Sequence, residues 1–135
     1  MYRIMLVDDE DNVLKSITRS LRDHQDWVIE TYSSPNDALV RAKSCNFDVV
    51  ISDFNMPDKN GIEFLAEIRE LQPEAKRIIL TGHSRSEIIM DALNKAHAYS
   101  FITKPWSNED LIKTISESRS SFIPFMTDQE LPTNK

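Results

Sequence analysis

The chain is poor in glycine and has almost no cysteine. Two glycines, Gly61 and Gly82, occur in 135 residues. That excludes both common glycine-rich phosphate loops, GxGxxG and GxxxxGK followed by Ser or Thr. The single cysteine, Cys45, excludes an internal disulfide, a CxxC redox pair and a thiolate zinc cluster. It reads as a half-buried structural thiol. Three histidines, His24, His83 and His97, lie too far apart for HExxH. No apolar run approaches the length of a membrane span. Asp8, Asp9, Glu10 and Asp11 interrupt any signal-peptide core. A cytoplasmic address without membrane contact is therefore expected. Bases are the minority, 16 Lys and Arg against 22 Asp and Glu, for a net charge of −6. Phosphate contacts need clustered Lys and Arg, so direct nucleic-acid binding by this chain is not expected.

Hydrophobic residues make up 40% of the chain and charged residues 28%, an ordinary globular balance. The length suits one domain, read as residues 1–121. Residues 122–135, with Pro124 and Pro132 and few periodic apolar positions, read as a tail or linker. Short apolar runs alternate with amphipathic segments, the pattern of a parallel α/β fold. Strands are predicted at Tyr2 to Val7, Val28 to Tyr32, Asp48 to Ser52, Arg77 to Leu80 and Tyr99 to Ile102. The first helix is predicted from about Glu10 to Asp23, with Val13, Leu14, Ile17 and Leu21 on one face. Ser34-Pro35 opens a second helix. A turn-rich run from Asn55 to Gly61 leads to a third, which Pro73 stops. Ser84 with Glu87 resembles a capping box for the fourth. Ser107 with Asp110 caps the last, which runs to about Ser118.

The first, third and fourth strands are nearly continuous apolar runs, as expected of strands covered on both faces. The second and fifth carry polar residues and belong at edges. The order 2-1-3-4-5 of doubly wound, flavodoxin-like sheets puts that pair there, in a three-layer (βα)5 sandwich. In such sheets the ligand site lies outside the carboxyl ends of the strands. Those ends carry Asp8 and Asp9, Asp53, Thr81, and Thr103-Lys104-Pro105. Three carboxylates, a hydroxyl and an ammonium therefore converge on one crevice. Two carboxylates about 5 Å apart repel by about 3 kcal/mol at an effective dielectric near 20. Three stay ionised only beside a cation. Lys104 supplies one positive charge, and Mg²⁺ suits a site with few protein carboxylates and several waters. A carboxylate beside Mg²⁺ and a lysine is prepared to attack phosphorus.

Asp8-Asp9, Asp53 within Asp53-Phe54-Asn55-Met56-Pro57, Thr81-Gly82 and Lys104-Pro105 resemble the receiver domain of two-component response regulators, like the chemotaxis regulators, over about Met1 to Arg119. The resemblance implies Asp53 as phosphoacceptor. It implies Mg²⁺ held by Asp9, Asp53 and the Asn55 backbone carbonyl, with Asp8 reaching the metal through water. Lys104 is implied as the phosphate-binding lysine, over a cis Lys104–Pro105 bond, and Thr81 as the switch hydroxyl. Phe101 stands where the family's switch aromatic is often tyrosine, so its phenolic hydroxyl is absent. Asn55 and His83 are implied to tune the lifetime of the phosphoryl group. The implied partners are a sensor histidine kinase or a phosphotransfer protein. The implied output surface is helix 4, strand 5 and helix 5, with a homodimer possible through it, controlling an output domain or partner. Such a domain is not a turnover enzyme; it catalyses only its own phosphorylation and dephosphorylation.

Asp9-Glu10-Asp11-Asn12-Val13 also fits DxDx followed by Thr or Val, the nucleophile motif of haloacid-dehalogenase-type phosphatases. Their acidic pair follows the threonine and lysine, whereas Asp53 precedes Thr81 and Lys104. Singly, Asp8, Asp9 and Thr81 are ordinary helix caps, and Asp53 and Lys104-Pro105 ordinary turn residues. Jointly those readings require four coincidences at adjacent strand ends. Trp27 and Trp106 read as packing residues, and His24 and His97 as solvated helix-end residues.

Overall fold

A computed structural model of the chain describes residues 2–23, 26–82 and 86–119. Strands and helices alternate: β1 (Tyr2–Val7), α1 (Asp11–Leu21), β2 (Trp27–Tyr32), α2 (Pro35–Ala42), β3 (Val49–Asp53), α3 (Gly61–Leu71), β4 (Lys76–Thr81), α4 (Ser86–Lys95), β5 (Ser100–Thr103) and α5 (Asn108–Ser118). All pairings are parallel, and the sheet order is β2-β1-β3-β4-β5, as the strand compositions predicted. Residues 122–135, His24 and Ser84 of the expected capping box lie outside the described residues. No described helix is long and apolar enough to cross a membrane.

Alternate side chains of the central strands feed two separate cores. Met5, Val7, Val50 and Ile79 pack with α2, α3 and α4. Ile4, Leu6, Val49, Ile51, Ile78 and Leu80 pack with α1 and α5. An apolar run with no polar alternation is the signature of this double burial. The edge strand β2 keeps its polar residues by pairing them, with Glu30 bridging Arg3 at 3.1 Å and Arg41 at 3.0 Å.

Strand ends depart from expectation by a residue or two. β3 runs Val49–Asp53 rather than Asp48 to Ser52, because the ladder continues: Asp53 pairs with Leu80, and the Phe54 N–H donates to the Leu80 carbonyl at 2.8 Å. β4 likewise extends through Thr81, paired with Thr103 of β5. Asp53 and Thr81 thus close their strands from within, where backbone hydrogen bonds hold them. α1 is shorter than expected; the Glu10 N–H donates to Asp8 Oδ1 at 2.9 Å, and the helix begins after it. The caps at Ser34 and Ser107 form as predicted. Asn60 adds an unpredicted capping box with Glu63 at the start of α3.

His97 is half-buried rather than solvated. It closes α4 with φ at 48°, the left-handed region, while the Ala98 N–H reaches back to the Ala92 carbonyl at 3.1 Å. That is a Schellman end with histidine where glycine fits best. His97→Gly is expected to stabilise the chain by about 0.5–1 kcal/mol, raising Tm by about 2–4 °C. Calorimetry checks it; an unchanged or lowered Tm would show that the histidine ring's contacts outweigh the strain.

Candidate functional site

Four strands deliver their terminal residues to one edge of the sheet. Asp8 and Asp9 follow β1, Asp53 ends β3, Thr81 ends β4 and Lys104 follows β5. Asp8 is 2% exposed, Asp53 3% and Thr81 1%; Asp9 is exposed. One carboxylate oxygen from each of Asp8, Asp9 and Asp53 lies within 4.8 Å of the others. The Lys104 ammonium forms an ion pair with Asp53 Oδ1. The Lys104 N–H donates to the Thr81 carbonyl at 2.7 Å, tying the lysine's backbone to the end of β4. The Lys104–Pro105 bond is cis, as expected. The Asn55 N–H donates to Asp53 Oδ2 at 3.1 Å, an Asx-type turn that folds the Asn55 backbone over the carboxylate.

The charges do not balance within the protein. Burial pushes the Asp8 carboxyl up to about 6 against the pull of the Glu10 N–H, and the neighbouring Asp53 and Asp9 carboxylates push the same way. Asp8 Oδ2 is buried with no hydrogen-bond partner among the described residues. Asp53 Oδ1 has none either, though the Lys104 ammonium stands against it. Two buried oxygens of this kind, beside the exposed Asp9 carboxylate, fit a hard divalent cation with oxygen ligands. Beside them, Asp9, Phe54, Asn55, Met56, Pro57 and Asn60 line an open cleft of about 320 Å³.

Residues 4–116 match the family model of the response regulator receiver domain. The chain belongs to that family. It is 35% identical over 115 residues to the hydrogenase transcriptional regulatory protein HoxA of Bradyrhizobium diazoefficiens, a match covering 85% of this chain and 23% of that protein. It is 29% identical over 122 residues to the transcriptional regulatory protein FixJ of Rhizobium meliloti, covering 90% and 59%. The chain therefore spans less than two thirds of the length of these curated relatives. Among solved structures, the BeF3-activated receiver domain of DrrB superposes with a TM-score of 0.80 at 30% identity, covering 90% of this chain and 99% of that one. The chemotaxis protein CheY4 of Vibrio cholerae superposes at 0.80 with 28% identity, covering 87% and 98%.

In this receiver domain the predicted acidic set and Lys104 come together as expected. Phe101 is 41% exposed on the edge strand β5, and Met90 of the neighbouring α4 is 52% exposed. His83 lies outside the described residues. Asp11, second aspartate of the phosphatase-like pattern, is exposed in the first turn of α1 and outside the acidic cluster. Two neighbours escaped the sequence reading. Gly61 packs directly on the Asp53 backbone, a contact signalled only by the rarity of glycine in this chain. Trp106 is half-buried against the α1/α5 core, as a packing residue should be, and also faces Lys104.

Proposed function

We propose that the chain is the phosphoacceptor module of a two-component relay, with Asp53 taking a phosphoryl group from the phosphohistidine of a sensor histidine kinase or phosphotransfer protein. The observation that carries this reading is the carboxylate cluster against the Lys104 ammonium, two of its three members buried and incompletely partnered. An Asp53 oxygen attacks phosphorus while the P–N bond breaks, and the electron pair leaves with the imidazole nitrogen. The Lys104 ammonium then binds a phosphoryl oxygen, and the Thr81 hydroxyl donates to another. Asp9, Asp53 and the Asn55 carbonyl are the proposed Mg²⁺ ligands, with Asp8 acting through water. Bound Mg²⁺ would offset charge on the phosphoryl oxygens and on the three carboxylates.

Asn55 and His83 are the residues read as setting the phosphoryl lifetime. Inward movement of the Thr81 hydroxyl gives the Phe101 ring room to turn, changing the face built by α4, β5 and α5. The phosphoryl group shifts that equilibrium only by its differential contacts with the two states. The changed face docks an output domain, a partner or a second copy of the chain. The relatives are transcriptional regulators much longer than this span, which favours an output domain in a longer protein. The domain is read as residues 1–121 with residues 122–135 as tail or linker, working in the cytoplasm.

Incubation with acetyl phosphate and Mg²⁺ is expected to add one phosphoryl group per chain, seen by intact mass, and Asp53→Asn to take none. Mg²⁺ alone is expected to raise stability by about 1.4 kcal/mol at ten times its dissociation constant. Asp9→Ala should lose that increment. Full labelling of Asp53→Asn would refute the assignment. Sustained phosphate release from p-nitrophenyl phosphate would instead favour a phosphatase.

A further inference from the structure

Lys104 holds its ammonium between two groups of different kind. One is the Asp53 carboxylate. The other is the Trp106 ring, with its centroid 5.9 Å from Nζ. The loop carrying both residues is short and anchored at each end. The Lys104 N–H is bonded to the Thr81 carbonyl at 2.7 Å. Ser107 caps α5 by accepting from the Asp110 N–H at 3.0 Å. The indole itself packs on the core formed with α1 and α5. Its place is therefore set by the scaffold and not by the lysine.

We propose that Trp106 is a positioning residue for Lys104, holding the ammonium at the phosphoryl site through its π face. This rests on the reading of Asp53 as phosphoacceptor. A lysine stem is flexible and its ammonium strongly hydrated, so a single partner leaves it free to leave for water. The Asp53 carboxylate is an anchor only until it is phosphorylated. The attraction of a cation to an aromatic face does not depend on that event, so Trp106 keeps the ammonium near the phosphoryl oxygens before and after transfer. The fold contains its own control. Lys76 stands over the Tyr99 ring at the same 5.9 Å, at the opposite end of the sheet from Asp53.

The test uses the full chain and two independent readouts. The first is labelling by acetyl phosphate at saturating Mg²⁺. Trp106→Leu is expected to slow it by about three- to tenfold. Trp106→Phe should restore most of the rate, and Tyr99→Leu should leave it at the parental value. The Mg²⁺-induced shift in Tm should be the same in all four proteins. The second readout is a double-mutant cycle of Trp106→Leu and Lys104→Met in urea melts without metal or donor. Coupling between the two positions is expected. A parental labelling rate in Trp106→Leu, or equal slowing in the Phe and Leu variants, overturns the positioning role. Absence of coupling in the cycle overturns the contact. A parent chain that takes no label overturns the reading of Asp53, and the metal-free cycle then judges the Trp106–Lys104 contact by itself.

Discussion

Gly61→Ala is expected to lower stability by about 2–3 kcal/mol and to weaken Mg²⁺ binding at the acidic cluster. Gly61 opens α3, and its N–H donates to the Phe54 carbonyl at 2.8 Å. A Cβ there would stand 2.3 Å from the Asp53 carbonyl oxygen, 3.0 Å from its carbon and 2.6 Å from Ile79 Cδ1. The isoleucine methyl is the far end of a side chain and can shift. The Asp53 carbonyl cannot, because Asp53 is held in the ladder beside Leu80. No glycine here has positive φ, so the requirement is for space and not for handedness. Alanine recovers about 0.4–1 kcal/mol by restricting the unfolded chain, which is less than the strain. The atom that must move belongs to Asp53 itself, so the damage reaches the carboxylate cluster. Urea melts with and without Mg²⁺ measure both effects. Parental stability with a parental metal response would contradict this account of Gly61.

Arg77→Leu is expected to be the most destabilising single substitution considered, by about 3–5 kcal/mol. Arg77 is 2% exposed near the start of β4, with no carboxylate against it among the described residues. Its guanidinium donates instead to carbonyls. Nε bonds Ala96 at 2.7 Å, Nη1 bonds Ala75 at 2.8 Å and Pro73 at 3.1 Å, and Nη2 bonds His97 at 3.2 Å. These carbonyls lie in the turns just past the ends of α3 and α4, so one cation ties the two turns together. Burial pulls the guanidinium down to about 10, because desolvation opposes the charged form. Removing the charge relieves that opposition. It also leaves the Ala96 and Ala75 carbonyls buried without this donor, each worth about 1–3 kcal/mol, and takes a donor from the part-buried Pro73 and His97 carbonyls, and that loss is the larger. Leucine fills part of the volume, so the effect isolates the hydrogen bonds from the cavity. Arg77→Lys should fall between parent and leucine, since a point charge on one stem cannot serve both turns. Denaturant midpoints at constant m-value are the measurement; a loss below about 1 kcal/mol would mean that water replaces the guanidinium.

Much of the molecule was readable before any coordinates. Apolar runs without alternation identified β1, β3 and β4 as covered on both faces, and the mixed composition of β2 and β5 sent them to the edges. From that order alone, Asp8, Asp9, Asp53, Thr81 and Lys104 had to share one rim of the sheet, because parallel strands all present their carboxyl ends to the same side. Ser34 and Ser107 announced their helices because a cap is a local bond between a side chain and the backbone three residues on. The strand ends at Asp53 and Thr81 were placed a residue short. Polar side chains mark the end of an apolar run, whereas the ladder is made by backbone groups that every residue carries.

Residue pattern alone determined the layered α/β architecture, the sheet order and the membership of the carboxylate–lysine site, since each depends on periodicity, local capping or chain direction. Only the tertiary structure decided what Arg77, Gly61, His97 and Trp106 do. Arg77 looked like a charged residue at the start of a strand; its partners are carbonyls, which no side-chain pattern distinguishes, left open where two helices happen to end. Gly61 looked like a turn residue, and its role depends on how closely α3 lands on the Asp53 carbonyl. The left-handed turn at His97 follows from where α4 must stop to let β5 enter the sheet. Trp106 packs as its apolar bulk dictates, but the cation it faces comes into range only after β5 and the Lys104 backbone are bonded to β4. Contacts of this kind are set by the distances between packed elements, and those distances exist only once the two cores have closed on the sheet.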